Sequence, residues 1–222
     1  MNKRLSNKRF IFFLFILIQI IVLVFNSCSN NVPEIGNAKL AVVFDYESDD
    51  SLPKARLSIF VEATSNPRRF DSITVTNNQS EYVWESTDLV LATNNEKNFC
   101  GVTNFVMPEN EEIPSGTYTV IFHQSDDEKK EIRRTLTYDK TLYETKAVDV
   151  PEVMKRAYSA KLLTVYDENK KILYYGTRTS ELSDARGIWN NYRDAYEFQE
   201  SWINVNGTVI CNLPIQKVTP GN

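Results

Sequence analysis

Segments in which apolar and polar residues alternate run through residues 38–138, and turn-forming residues separate them. In the clearest case, 55–63, Leu57, Ile59 and Val61 share one face and polar residues fill the other, with Phe60 as the exception. Alternation with a period of two is typical of a strand that is buried on one side. The pattern predicts strands at 38–46, 55–63, 70–76, 81–85, 99–107, 117–123 and 131–138. Short strands without a helical pattern favour an antiparallel β-sandwich at 38–138.

A change of composition at 139–158 marks the end of the predicted sandwich. The stretch has mixed charge and contains Pro151, so we interpret it as a linker with a short helix at 151–157, since proline suits the first helical turn. Beyond it, the apolar runs 160–166 and 171–175 flank a polar turn and predict a β-hairpin. The sequence thus predicts a boundary before a smaller part at 159–222.

The smaller part contains the one strong helical pattern of the chain. Its apolar stripe consists of Leu182, Ala185, Trp189, Tyr192, Ala195 and Tyr196. Ser180 or Ser183 can cap the start of this helix. Asn206-Gly207 between the runs 202–205 and 208–213 is a strong signal for a second hairpin. The smaller part therefore reads as hairpin, helix and hairpin.

One hairpin of the predicted sandwich matches a familiar arrangement. Pro114-Ser115-Gly116 forms a turn signal before the strand 117–123, and the charged stretch 125–130 leads into the returning strand 131–138. This order resembles the terminal hairpin of immunoglobulin-like or transthyretin-like surface modules. The resemblance implies a mainly β fold: an antiparallel, immunoglobulin-like β-sandwich, followed by the smaller α+β part with its one helix.

The N-terminal region has a different pattern. Four basic residues, Lys3, Arg4, Lys8 and Arg9, precede the apolar run Phe10–Phe25, which only Gln19 interrupts. A helix of that length reaches about 24 Å, short of the ~30 Å hydrocarbon core of a bilayer. A basic start, an apolar middle and a small polar end predict a secretory signal peptide at residues 1–27.

The signal ends in Phe25-Asn26-Ser27-Cys28, which resembles a bacterial lipobox, although Phe25 stands where most lipoboxes have leucine. The resemblance implies cleavage before Cys28, acylation of that cysteine and a tether at 28–37. It also implies a place in the bacterial cell envelope, with the globular part in the periplasm or on the cell surface. Uncharacterised spirochaete-type envelope lipoproteins look similar. An uncleaved signal anchor or a plainly secreted chain are the alternatives.

Charge narrows the choice of partners. The whole chain has 25 basic and 29 acidic residues. Because the signal holds four of the bases and none of the acids, the 195 residues from Cys28 onward would have a net charge of −8. An acidic chain without long basic runs disfavours nucleic acid as a partner. A membrane contact through Cys28, with a protein or carbohydrate partner in the envelope, is the expectation.

Cys100 and Cys211 form an even pair in a chain that we expect to be exported. Disulfides persist in such compartments, so one bridge is a candidate. The alternative is two separately buried thiols, because free cysteine is among the most buried residue types. The sequence leaves both open.

Few residues suggest chemistry. His123 is the only histidine, which removes any site that needs two imidazoles, and no catalytic motif or cofactor motif appears. Asp45, Glu47 and Asp49 superficially resemble a calcium loop, but the EF-hand pattern fails at Asp50, where glycine is required. We therefore expect no cofactor and no enzyme activity, with an irregular calcium site at these acids as a weak candidate.

The aromatic residues of the smaller part offer a ligand site. Trp189, Tyr192 and Tyr196 share the helical stripe, and Trp202 follows nearby. Exposed aromatic rings could stack on a sugar, but the same stripe is what a helix needs to pack against a sheet, and the second interpretation is favoured because large aromatic residues dominate protein cores.

The leading hypothesis is a membrane-anchored, exported lipoprotein that acts as a non-enzymatic binding module of unknown ligand. A structural or assembly component of an envelope complex is the alternative, and an envelope hydrolase is a third. A cleft lined by aromatic side chains would favour the binding module. A large exposed apolar patch without a concave pocket would favour the assembly component.

Overall fold

The computed structural model describes residues 34–64, 67–94, 96–109, 111–124, 128–156 and 159–218. The predicted signal peptide at 1–27, Cys28 and the first part of the tether lie outside the described residues. Within the described ranges, no helix is both long enough and apolar enough to cross a membrane.

The described chain is mainly β, as predicted, and its strands form two sheets. The strands are β1 Ile35–Asp45, β2 Lys54–Ala63, β3 Phe70–Asn77, β4 Val83–Ser86, β5 Val90–Asn94, β6 Lys97–Phe105, β7 Gly116–Gln124, β8 Lys129–Leu136, β9 Ala160–Tyr166, β10 Ile172–Thr177, β11 Glu197–Ile203, β12 Val209–Asn212 and β13 Gln216–Lys217. The described residues contain two short α-helices, α1 Val150–Lys155 and α2 Ala185–Asn191. Single 3-10 turns lie at Pro67–Arg69, Lys140–Tyr143, Ala147–Asp149 and Ser180–Leu182.

The large sheet has nine strands and the small sheet has four. The order in the large sheet is β10-β9-β11-β12-β1-β2-β6-β5, with β13 pairing β11, and the order in the small sheet is β4-β3-β7-β8. Strands β1 and β12 pair in parallel, and the other described strand pairs are antiparallel.

The two sheets bury their facing sides against each other. Alternate residues of β2 and β7, such as Leu57, Ile59, Val120 and Phe122, are fully buried in one core cluster. Because successive side chains of a strand point to opposite faces, the residues between them form the outer face of each sheet. The alternation that predicted these strands is confirmed.

The boundary predicted at 139–158 does not separate two units, since the described residues between 34 and 218 belong to one compact unit. The strands of the smaller part join the large sheet, because β12 pairs with β1 from Val42 and Val209 to Asp45 and Asn212. This contact joins residues 167 positions apart, so no local pattern could have predicted it. A second, smaller core cluster around Leu163 and Ile188 lies under α2.

The helical stripe is shorter in the structure than predicted. Helix α2 begins after Asp184, whose side chain accepts a hydrogen bond from the Gly187 backbone N–H at 2.7 Å, so neither Ser180 nor Ser183 is the cap of α2. The helix ends at Asn191, because Tyr192 adopts an extended conformation. The chain then enters β11 at Glu197, so the last stripe residues belong to a loop. The helix prediction was wrong in length and right in kind.

Candidate functional site

A concave, mostly apolar trough crosses the outer face of the large sheet, and its volume is about 820 Å³. Each of the eight strands from β10 to β5 contributes at least one lining residue. In sheet order these include Tyr175, Ala160, Ile203, Ile210, Ala41, Phe60, Phe99 and Ala92. Seven strand spacings of about 4.8 Å give the trough a length of about 34 Å if the sheet were flat. The site therefore suits an elongated ligand.

The walls of the trough come from large apolar side chains in positions that normally face water. Phe60, the exception to the alternation of β2, points away from the core and lines the trough. On the neighbouring strand, Phe99 lies on the same outer face, since it pairs with Glu62, two residues beyond Phe60. Tyr175 lies at the far side and is 64% exposed. Three aromatic rings thus line a surface that lies outside the core.

Small side chains keep the floor of the trough open. Ala41 and Ser58 are opposite each other on β1 and β2, and Ala92 and Ala160 lie toward the two sides. A larger side chain at any of these positions would project into the concave space, because strand side chains stand roughly perpendicular to the sheet.

The loop of the β11–β12 hairpin borders one long side of the trough, near the middle of the strand order. The Asn204 side-chain oxygen accepts hydrogen bonds from the backbone N–H groups of Thr208 and Val209 at 2.8 and 3.1 Å. Gly207 has φ of +68°, a left-handed conformation that glycine adopts without strain. The hairpin predicted at Asn206-Gly207 is confirmed, with a wider loop than a two-residue turn. Val205 at its tip is 73% exposed.

The lining of the trough carries one positive charge and no negative charge. Among the fourteen residues that line it, Lys39 is the only charged side chain. The remaining polar groups are few and include Ser58 and Asn206. A ligand in this trough would meet apolar surface along its length and one positive charge.

A row of polar side chains borders the trough on the same outer face, and we call these residues the polar belt: Arg56, Asp45, Asn212 and Ser201. Arg56 Nε lies 2.6 Å from Asp45 Oδ2, Asn212 donates to Asp45 Oδ1 at 2.7 Å, and Ser201 donates to Asn212 Oδ1 at 2.7 Å. The belt crosses β2, β1, β12 and β11. Its members satisfy one another, so we assign it a structural role beside the trough.

The weak calcium candidate at Asp45, Glu47 and Asp49 is not supported. Asp45 belongs to the polar belt, and Glu47 pairs with Lys54 at 2.5 Å. In the described part of the chain, no three His, Cys, Asp or Glu side chains come close enough to hold a metal ion. Two of the three acids, Asp45 and Glu47, therefore face a neighbouring cation, because the strands bring Arg56 and Lys54 beside them.

The four aromatic residues predicted as a ligand platform do not form one. Trp189 and Tyr192 pack against the small core cluster, and the Arg193 guanidinium lies 3.8 Å from the centre of the Trp189 ring. Tyr196 is exposed, with Lys217 Nζ 3.6 Å from its ring centre. Trp202 instead packs against the main core. The packing of Trp189, Tyr192 and Trp202 agrees with the alternative interpretation of the stripe, in which it packs against a sheet, whereas Tyr196 remains exposed.

Cys100 and Cys211 are buried, unbridged thiols. Cys211 lies beside Phe44, whereas Cys100 lies beside Val61, which pairs with Ala38 at the other end of β1. Six residues along β1 span about 20 Å and three strand spacings about 14 Å, far beyond the Cα separation of about 7 Å that a disulfide tolerates. Burial raises the pKa of the Cys100 thiol to about 11 and the pKa of the Cys211 thiol to about 12. The disulfide candidate is therefore wrong.

Other reactive groups are engaged in structural contacts. His123 Nε2 lies 2.9 Å from Thr74 Oγ1 on the outer face of the small sheet, away from buried Cys100. The buried Glu200 carboxylate pairs with Lys161 at 2.6 Å and with Arg178. Burial, followed by the Arg178 charge, lowers the pKa of Lys161. These contacts tie β9, β11 and the segment after β10 together.

Phe99, Tyr175 and Ile210 were not predicted as site residues from the sequence. The only local signal was Phe60, an apolar residue on the polar face of its strand. The trough residues are scattered from position 39 to position 210, so only the assembled sheet brings them together.

Comparisons with known proteins add little. No family model matches the chain, and no curated protein matches it. Two similar solved structures are crystal structures of BcpA, the major pilin subunit of Bacillus cereus, one of them an Asp-to-Ala variant. Both have a TM-score of 0.19 and 11% identity. The matches cover 82% and 83% of this chain but 64% and 65% of the pilin, so the chain spans less than two thirds of its length.

Proposed function

We propose that this chain is an exported, membrane-anchored lipoprotein of a bacterial envelope, and that it acts as a non-enzymatic binding module. The trough is the observation that carries the binding role. It is concave, lined by three aromatic rings and several aliphatic side chains, and only sparsely polar. These are the general features of a ligand site, and its volume of about 820 Å³ is of the usual size.

The anchor rests on the sequence of residues 1–28, where a basic start and an apolar run precede Cys28. Mass spectrometry of the intact protein from a bacterial membrane fraction tests it. A chain that begins at Cys28 and carries acyl groups supports the proposal. An unmodified chain that still begins at Met1 would make Phe10–Phe25 an uncleaved anchor and refute the acylation.

The binding role is tested by a photo-crosslinking amino acid placed at Val205, at the exposed tip of the trough hairpin. The matched control places it at Ile121, on the outer face of the small sheet. In irradiated cells, we expect an adduct at position 205 and none at position 121. The mass of the adduct distinguishes a small ligand from a protein partner. A protein partner would favour the alternative role, a component of an envelope assembly. Adducts of equal yield at both positions, or none at either, would refute the binding role.

A further inference from the structure

The lining of the trough restricts the chemistry of its ligand. Phe60, Phe99, Ile203 and Ile210 present carbon surface, and the amide of Asn204 is used within its own hairpin. A sugar chain would bring many hydroxyl groups that need hydrogen-bond partners, and burying them unpaired is costly. A hydrocarbon chain requires no such partners and gains free energy for each buried CH₂ group. The walls therefore favour a hydrocarbon ligand.

The dimensions also fit a lipid chain. The hydrocarbon core of a bilayer is about 30 Å thick and holds two leaflets, so one extended acyl chain is about 15 Å long. The eight strands that the trough crosses give it about twice that length. One chain fits with room to spare, and two chains fit end to end.

The single charge of the trough indicates the head group. Lys39 is exposed, and none of the other lining residues is an acid that would neutralise it. An anionic head group therefore finds a complementary cation at this point and meets no repelling carboxylate within the trough. Ser58 and Asn206 add hydrogen-bonding groups in the same trough.

The trough also lies at the end of the sheet where the chain enters from its predicted anchor. Lys39 follows the start of β1 at Ile35 by four residues, and the β11–β12 hairpin is at the same end, because β12 starts beside Val42 and runs parallel to β1. Five residues lie between Cys28 and Glu34, so a lipid anchor at Cys28 would be linked to the start of β1 by a tether that reaches at most about 20 Å.

From these observations we propose that the trough binds an anionic amphiphile, with its hydrocarbon chain along the sheet and its head group at Lys39. The proposal rests on the proposed binding function and specifies its ligand class. The chemistry is shared by a membrane phospholipid and a free fatty acid. The trough thereby becomes a lipid-carrying site on a lipid-anchored protein.

The test uses bacteria that produce the full chain and grow with a fatty acid carrying a diazirine and a terminal alkyne. After irradiation, the protein is isolated and the adducts are located by mass spectrometry of its peptides. We expect adducts on the strands that line the trough, above all near Phe60 and Ile210. An adduct with the mass of the fatty acid alone identifies a free acid, and a larger mass identifies a phospholipid.

Two variants and one control make the result specific. Ser58→Trp fills the floor of the trough, and Val205→Asp places a negative charge at its exposed rim, where folding is least affected. Each should lower the adduct yield at least tenfold, whereas Thr119→Trp on the small sheet should leave it unchanged.

Several outcomes would overturn the lipid proposal: adducts spread over both outer faces, no adducts, or a trough cross-linked only to the acyl group of Cys28 itself. Absent lipid adducts together with a protein or other adduct at position 205 would refute the lipid ligand and leave the proposed binding function standing.

Discussion

The outer faces of the two sheets differ in a way that the inner faces do not. On the small sheet, the outward positions of β3 and β7 carry mostly hydroxyl residues suited to a solvated surface, with Ile121 and His123 as the exceptions: Ser72, Thr74, Thr76, Thr117 and Thr119. On the large sheet, the corresponding outward positions carry Phe60 and the other apolar side chains of the trough. Both sheets bury their inner faces in one core. Because the core between the sheets does not include the trough side chains, the trough is a feature added to the outer face of the large sheet.

The largest expected effect separates inner from outer aromatic residues. Trp84 lies between the sheets, packs against Tyr82 with ring centres 4.5 Å apart, and donates to the Val106 carbonyl at 2.9 Å. We expect Trp84→Ala to lower the free energy of unfolding by about 3–5 kcal/mol. Phe60→Ala in the trough should cost about 1 kcal/mol or less, because its ring is only half-buried. Urea unfolding followed by circular dichroism measures both. Equal losses would mean that the trough aromatics serve the core.

A second expected effect is a dependence of stability on pH, caused by buried cysteine and tyrosine side chains. Burial raises the pKa of Cys100 to about 11, of Cys211 to about 12 and of Tyr118 to about 12. The folded state therefore holds these protons more tightly than the unfolded state does. This stabilisation is complete below about pH 8.5, the unfolded cysteine value, and is lost as pH rises toward 12.

We expect the urea midpoint to fall steadily above pH 8.5. The double variant Cys100→Ala with Cys211→Ala should flatten this decline. Ser58→Ala in the trough changes no ionisable group and is the matched control, which should leave the decline unchanged. A midpoint independent of pH up to 11 would contradict the burial of these groups.

A smaller effect tests the charge of the trough against the charge of the opposite face. Lys39→Glu should weaken the binding of lysophosphatidylglycerol about three- to tenfold at low salt, and less at high salt, because exposed charges are screened. Lys129→Glu, an equal change of charge on an exposed residue of the small sheet, should leave the affinity within about twofold. Isothermal titration calorimetry measures both. Equal losses would point to net charge as the cause.

The smallest effect concerns the solvated face alone. Thr119→Val removes one hydroxyl group from the outer face of the small sheet and should change the free energy of unfolding by less than about 0.5 kcal/mol. It should also leave lysophosphatidylglycerol binding unaltered. A measurable loss of binding would place part of the ligand site on the small sheet and break the comparison.

Local patterns in the sequence were enough to predict most strands and the mainly β class, but not β5 or β13. Leu57, Ile59 and Val61 alternate within five positions, so their burial follows from residues that are neighbours. The parallel pairing of β1 with β12 depends on side chains far apart in the chain. The sequence therefore predicted two separate parts, whereas strands of both parts lie in the large sheet.

The candidate site was harder to predict for the same reason. Phe60 broke the alternation of its strand and was a usable signal, yet Ala41 and Ile210 are ordinary strand residues until the sheet places them side by side. Trp189 and Tyr192 were predicted as ligand-site candidates because they belong to a periodic aromatic stripe. Helical periodicity of apolar residues indicates a packed face, and both residues are partly buried against the small core cluster.

The most direct test of the account is hydrogen–deuterium exchange of the delipidated full chain, with and without lysophosphatidylglycerol below its micellar concentration. We predict slower exchange in peptides that contain 39–41, 58–60 and 203–210, and no change in peptides that contain 72–76 or 119–123. Protection on the outer face of the small sheet, or none on the trough strands, would contradict the claim that the trough is the ligand-binding surface.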